Sequence, residues 1–216
     1  MPLREIQLGN KVEDSRLFNS FQRRHSRFPL IRRKTIGIGL IDLSLFSNGK
    51  DYISSVNGKN SAAYFSRKSQ RAGFQFKLIN PNNFIDSIQK IHFSAKTRQG
   101  KEIEASYLNK IEKYPIDDRN SYFGIFRGDL LVAYLWAIKS SELIMINRIM
   151  GHSDFLKDGI MYQLLTEFIT HTIDKEKTET KFVMYDTMLG ASDGLRLFKE
   201  RCGFRPYRVN WRISSK

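Results

Sequence analysis

The chain has 216 residues, 36 of them Lys or Arg against 22 Asp or Glu, giving a formal net charge of +14. That length suits one domain with a proper core plus an appendage, and apolar and aromatic shares of 41% and 12% argue against a disordered chain. A run of 18 apolar residues, an apolar stretch behind Met1-Pro2-Leu3-Arg4-Glu5 and a second cysteine beside Cys202 are all missing, so a membrane span, a secretory leader and a disulfide scaffold are not expected, and a cytoplasmic protein is.

In chain order, residues 1–58 read as a basic N-terminal extension and 59–216 as the main domain. Within the extension, Leu17, Phe18, Phe21 and His25 are spaced for one face of a short helix over Arg16–Arg27. Ile36 to Ile41 reads as a short buried strand, with turns at Ser47-Asn48-Gly49-Lys50 and Val56-Asn57-Gly58. Arg23, Arg24, Arg27, Arg32, Arg33 and Lys34 interleave with Phe21, Phe28 and Ile31. This pattern suits either a nucleic-acid or lipid-headgroup contact or a solvated face beside a docking stripe.

A helix is expected over Asn60–Ala72 and stopped by Gly73, followed by an alternating strand over 73–79. Pro81-Asn82-Asn83 opens a helix on which Phe84, Ile85, Ile88, Ile91 and His92 follow helical spacing, and a further helix is expected over Lys101–Lys113. Strands over Tyr122–Phe126 and Leu130–Ile138 flank an Arg127-Gly128-Asp129 hairpin, and a third strand covers Glu142–Met150. Then come a helix from Asp158 to Ile173, a strand over Lys181–Thr187, a helix over Ser192–Cys202 and a last strand over Phe204–Ile213. The whole is an α/β chain with a mixed sheet, helices on both faces and a right-handed crossover between Met150 and Lys181.

This order over 73–213 resembles the GNAT N-acyltransferase superfamily. Its turn pattern Gln/Arg-x-x-Gly-x-Gly/Ala falls on Leu156-Lys157-Asp158-Gly159-Ile160-Met161, where Gly159 alone fits. In that family the helix N-terminus behind the turn receives the pyrophosphate of acyl-CoA. Its later pattern Asn-x-x-Ala-x-x-x-Tyr-x-x-x-Gly-Phe falls on Ser192, Leu195, Lys199, Gly203 and Phe204, with lysine at the tyrosine position. Phe198-Lys199-x-x-x-Gly203 looks like the motif of Fem-type and exopolysaccharide-associated GNAT-like proteins, and Fem-type enzymes transfer an aminoacyl group from aminoacyl-tRNA.

The resemblance implies acyl transfer to an amine or hydroxyl of a small-molecule or carrier-linked acceptor, such as a sugar, peptide or lipid-linked intermediate. The donor is acyl-CoA or, alternatively, aminoacyl-tRNA; a non-catalytic binding module is a further alternative. Its donor site implies Ile149, Met150, Gly151, Lys157, Asp158, Gly159, Ile160 and Ser192. Lys199 is the candidate for steadying an oxyanion or phosphate, Asp186 for handling the amine, and His152 for a base near neutral pH. Arg67, Lys68 and Arg71, with Tyr185, are candidates for holding acceptor or phosphate. The +14 field would draw tRNA, a CoA donor or an anionic membrane face, and no His/Cys/Asp/Glu cluster has metal-ligand spacing.

Overall fold

The computed structural model describes residues 1–24, 30, 32–95, 97–98, 101–102, 109–176 and 178–214. Its elements are β1 (Leu3–Leu8), α1 (Val12–Gln22), β2 (Ile36–Asp42), α2 (Gly49–Ser55), α3 (Ala62–Arg71), β3 (Phe74–Leu78) and α4 (Ile85–Phe93). A small separate ribbon, β4 (Thr97–Arg98) with β5 (Lys101–Glu102), follows. Then come β6 (Asn120–Arg127), β7 (Leu130–Ser140), β8 (Leu143–Gly151), α5 (Ile160–Glu176), β9 (Phe182–Thr187), α6 (Asp193–Arg201) and β10 (Arg205–Ile213).

Eight strands form one mixed sheet in the order β1-β10-β2-β9-β8-β7-β6-β3. From β3 to β8 it is an antiparallel meander, and β8 then pairs parallel with β9 across the α5 crossover. The alternating side chains of these strands feed two faces. Ala133, Leu135 and Ala137 of β7 face the α5 core, whereas Tyr134 and Trp136 face α4.

Small residues set how closely α3 meets α5. Ala62, Ala63, Ser66 and Ser69 are buried on one side of α3. The two serines find polar partners, Ser66 Oγ at 3.0 Å from the Thr166 hydroxyl and Ser69 Oγ donating to Gln163 Oε1 at 2.6 Å, so close packing leaves no buried hydroxyl orphaned at these points.

The first 58 residues take a different form from the expected extension. They supply β1 and β2 to the main sheet, and β2 lies between β9 and β10, antiparallel to both. Ile6, Leu8, Phe21, Ile38 and Leu40 share a core with Leu143, Phe182, Met184 and Trp211. The end of β1 returns to the start of β8, where the Gln7 N–H donates to Glu142 Oε1 at 2.7 Å and the Gly9 N–H to Ser140 Oγ at 3.2 Å.

Other boundaries also move. The first helix begins at Val12 rather than Arg16, because Asp14 accepts from the Lys11 N–H at 3.1 Å and fixes the first turn there. Its expected end at 25–27 lies outside the described residues, as do Arg27, Phe28 and Ile31 of the basic cluster. The turn at Ser47–Lys50 is the start of α2, because Asn48 Oδ1 accepts from the Lys50 and Asp51 N–H groups. The expected helix over Lys101–Lys113 is not formed at Lys101–Glu102, which pair as a strand; residues 103–108 lie outside the described set. No helix among the described residues is long and apolar enough to cross a membrane.

Candidate functional site

The parallel pairing of β8 with β9 is short. It covers Leu143, Ile144 and Met145 against Phe182, Val183 and Met184, after which β8 continues to Gly151 and β9 to Thr187 without pairing to each other. A cavity of about 280 Å³ lies at this opening. Met150 and Gly151 of β8 form one wall, Tyr185 of β9 and Leu195 and Phe198 of α6 another, and Met161 lies at the start of α5. The end of α4 contributes Ile91, His92 and the following Ser94. Ser94 is anchored by Ser153, whose N–H donates to its hydroxyl at 3.0 Å and whose hydroxyl donates to its carbonyl at 2.6 Å.

The Gly151 N–H is a backbone donor on the side of the opening. The His152 N–H donates to the Val132 carbonyl at 2.8 Å, and Gly151 lies opposite Ala133. Alternation along an antiparallel pair therefore turns the Gly151 N–H away from β7, towards the β9 side. A hydrogen-bond donor at that place can hold a carbonyl oxygen as it gains negative charge.

No family model matches the chain, and no curated protein matches it. Among solved structures, FemX superposes with a TM-score of 0.58 at 8% identity, over 78% of this chain and 58% of that one. The C-terminal domain (DUF2156) assigned to a lysylphosphatidylglycerol synthetase from Agrobacterium fabrum gives 0.53 at 13% identity, over 80% and 58%. A tandem GNAT protein from the clavulanic acid biosynthesis pathway gives 0.50 at 13% identity, over 80% and 50%. The fold is GNAT-like. This chain spans only 50–58% of the length of those three.

Seen on this GNAT-like frame, the residues anticipated from sequence separate. Met150, Gly151 and Tyr185 meet at the cavity. Ile149 is packed in the core on the α5 side. Ser192 is the N-cap of α6, accepting from the Leu195 N–H at 3.4 Å, and thereby presents Gly194 and Leu195 to the cavity.

Gly159 serves a different purpose from the expected phosphate turn. It has φ +85°, caps the short 3-10 turn over Ser153–Asp158, and donates its N–H to the Leu156 carbonyl at 3.2 Å. A Cβ here would sit 2.6 Å from the Phe65 carbonyl oxygen of α3. The close approach this glycine permits is thus made by a helix backbone, and Ile160 behind it is fully buried. Lys157 is exposed and Asp158 half-buried; the Lys157 carbonyl accepts from Lys68 Nζ at 2.9 Å. Arg67 donates to Asn57 Oδ1 at 2.8 Å, and Arg71 is exposed on the same helix. None of the three basic residues of α3 lines the cavity.

Asp186 is exposed, has φ +50°, accepts from the Thr187 N–H at 2.7 Å and is ion-paired to Lys34. Its carboxylate is committed to the end of β9 and to Lys34, away from the cavity lining. His152 caps the turn that follows β8, its Nδ1 accepting from the Asp154 N–H at 3.4 Å, and it too is outside the lining.

Lys199 is only 1% exposed. Its Nζ donates to the Thr187 carbonyl at 2.8 Å and lies 4.5 Å from the centre of the Tyr185 ring. Burial, and secondarily the Lys34 ammonium, lower its pKa from 10.5 to about 8. It is not among the cavity-lining residues and touches one of them, Tyr185.

The sign of its contribution to stability follows. Below pH 8 both folded and unfolded chains carry the proton; between pH 8 and 10.5 the unfolded chain holds a proton that the folded chain has lost, so stability rises with pH. Urea unfolding of the wild type and Lys199→Met should show the wild type gaining on the variant by up to about 3 kcal/mol across that window. Parallel pH profiles for the two proteins would contradict the burial of a charged Lys199.

Sequence reasoning missed His92. It occupied an apolar position on a helical stripe, and the one polar residue in that stripe was its signal. Met161 and Leu195, read as motif mismatches, and Phe198, read as part of the Fem-like motif, were also missed as lining residues.

Proposed function

We propose that the protein is an acyltransferase whose donor enters the opening between β8 and β9. The observation that carries this reading is the cavity where those two strands no longer pair with each other, with the Gly151 N–H turned towards it. The acyl carbonyl oxygen accepts from Gly151. An acceptor amine or hydroxyl in the cavity attacks the carbonyl carbon, and the leaving group departs along the opening. Lys199 holds Tyr185 and the end of β9 in place through the Thr187 carbonyl and the tyrosine ring.

The donor favoured here is acyl-CoA, with a small-molecule or carrier-linked acceptor. A second reading keeps the same chemistry with aminoacyl-tRNA as donor. It is favoured by the use of Gly159 against Phe65 rather than as an open phosphate cradle, by the Fem-like lysine motif at Lys199, and by the +14 charge. Peripheral contact with an anionic membrane and a cytoplasmic location are compatible with both.

Calorimetry with acetyl-CoA and longer acyl-CoAs, beside filter binding of aminoacyl-tRNA across a salt series, separates the two. Saturable heat with an acyl-CoA supports the first; steeply salt-dependent tRNA retention without such heat supports the second. Absence of both would leave a GNAT-shaped binding module and reject acyl transfer.

A further inference from the structure

Among the described residues, no Asp, Glu, Lys or Arg lines the cavity at the β8–β9 opening, and Ile91, Met150, Leu156, Met161, Leu195 and Phe198 give its wall an apolar surface. The polar side chains in that wall are engaged with the protein itself. His92 Nε2 lies 2.6 Å from the Tyr134 hydroxyl. The Ser94 hydroxyl donates to the Ile91 carbonyl at 2.8 Å and accepts from the Ser153 N–H, and the Ser153 hydroxyl donates to the Ser94 carbonyl. A charged group entering here would give up its water without meeting a counter-charge in the wall, which is costly.

The wall beside the Gly151 N–H is apolar as well. A Cβ on Gly151 would sit 2.6 Å from Met161 Sδ and 3.1 Å from a Leu156 methyl. A carbonyl oxygen held by that N–H therefore brings the first carbons of the acyl group within reach of both side chains. Methionine, unbranched and polarisable, adapts to such a chain. Size points the same way. The cavity of about 280 Å³ is roughly nine times the share of liquid volume that one water molecule takes. An acetyl group fills only about a third of it. Apolar space left empty forfeits the contacts of its lining.

We infer that the group transferred is an uncharged, apolar acyl group of about six to eight carbons, carried by CoA, with its tail in this cavity along Met161 and Leu156. The inference rests on the acyltransferase reading above and names the substrate class of that same site. The acceptor nitrogen or oxygen forms the new bond to the carbonyl carbon as the carbon–sulfur bond breaks. The departing thiolate takes up, through solvent, the proton that the acceptor gives away, so an acylated acceptor and free CoA are the products. The acceptor brings its attacking atom to the carbonyl carbon, and the rest of the apolar space belongs to the acyl tail.

Calorimetry on the full chain with acetyl-CoA, hexanoyl-CoA and glutaryl-CoA tests this, beside filter binding of aminoacyl-tRNA. Each methylene taken out of water is worth about fourfold in affinity, so hexanoyl-CoA should bind at least tenfold more tightly than acetyl-CoA. Glutaryl-CoA, similar in length but ending in a carboxylate, should gain nothing over acetyl-CoA. Met161→Gln, which keeps the side-chain length but puts an amide in the wall, should cut the hexanoyl preference by about fivefold or more. Equal affinity for acetyl-CoA and hexanoyl-CoA, or glutaryl-CoA bound as tightly as hexanoyl-CoA, overturns the substrate class while acyl transfer from CoA stands. A hexanoyl preference untouched by Met161→Gln overturns the placement of the tail, and the inference with it. Aminoacyl-tRNA bound while all three thioesters are refused overturns the inference and leaves the second donor reading in place. Binding of neither kind of donor overturns both the inference and the acyltransferase reading.

Discussion

Asp14→Ala should cost about 3 kcal/mol of stability, read as a fall in the urea midpoint with an unchanged slope. Asp14 is 3% exposed. One of its oxygens accepts from Arg119 Nη2 at 2.5 Å and from Ser140 Oγ at 2.7 Å, and the other from the Lys11 N–H. Three separate parts of the chain thus close on one carboxylate: the start of α1, the turn before β6 and the end of β7. Removing it leaves the guanidinium of Arg119, whose side chain is 13% exposed, with Glu13 at 3.4 Å and the Lys139 carbonyl at 3.3 Å. Those remaining partners place the loss at the lower end of what breaking a buried pair costs. Asp14→Asn, which keeps acceptor capacity, should lose less. A loss below about 1 kcal/mol for the alanine variant would mean that the N-terminal segment is not tied to the sheet through this carboxylate.

Gly159→Ala should also cost about 3 kcal/mol, and a matched control isolates the reason. A non-glycine residue in the left-handed region costs about 1–2 kcal/mol, and forcing a methyl against fixed backbone adds about 1–3 kcal/mol. Gly159 and Gly73 share φ +85°, but a Cβ at Gly73 meets nothing within 4 Å, whereas at Gly159 it meets the Phe65 carbonyl. Gly73→Ala should therefore lose only the conformational part. Equal losses from the two variants would remove the claim that α3 sits tightly on this turn.

How much of this was legible in the sequence depended on the range of the interactions. From β3 onward the meander, the crossover and the last strand–helix–strand unit follow local signals, and the strand and helix order came through apart from the helix expected over Lys101–Lys113, which is strand at Lys101–Glu102 and not helical at 109–113. Ser192 was readable as a cap because capping is local. The position of β2 was not readable, because its neighbours β9 and β10 lie some 140–170 residues later and a short apolar run does not name its partner. The neighbour of Gly159 was unreadable for the same reason: a glycine announces a positive φ or a close approach, not which group approaches. Lys199 was read as a group to steady an oxyanion or phosphate, and the burial of its ammonium against the Thr187 carbonyl was not readable because that partner lies on another element. His92 hid among isoleucines because its partner, Tyr134, is on another element.

The most direct test is donor binding by calorimetry to the wild type and to Gly194→Trp. Gly194 lies near the start of α6 on the cavity lining, and a Cβ there meets nothing within 4 Å, so a large side chain can branch from this position towards the cavity. Donor held between β8 and β9 predicts that the wild type binds either acyl-CoA or aminoacyl-tRNA and that the variant, equally stable to heat, binds the same donor at least tenfold more weakly, about 1.4 kcal/mol. Equal affinity of the two folded proteins would contradict a donor site in this opening.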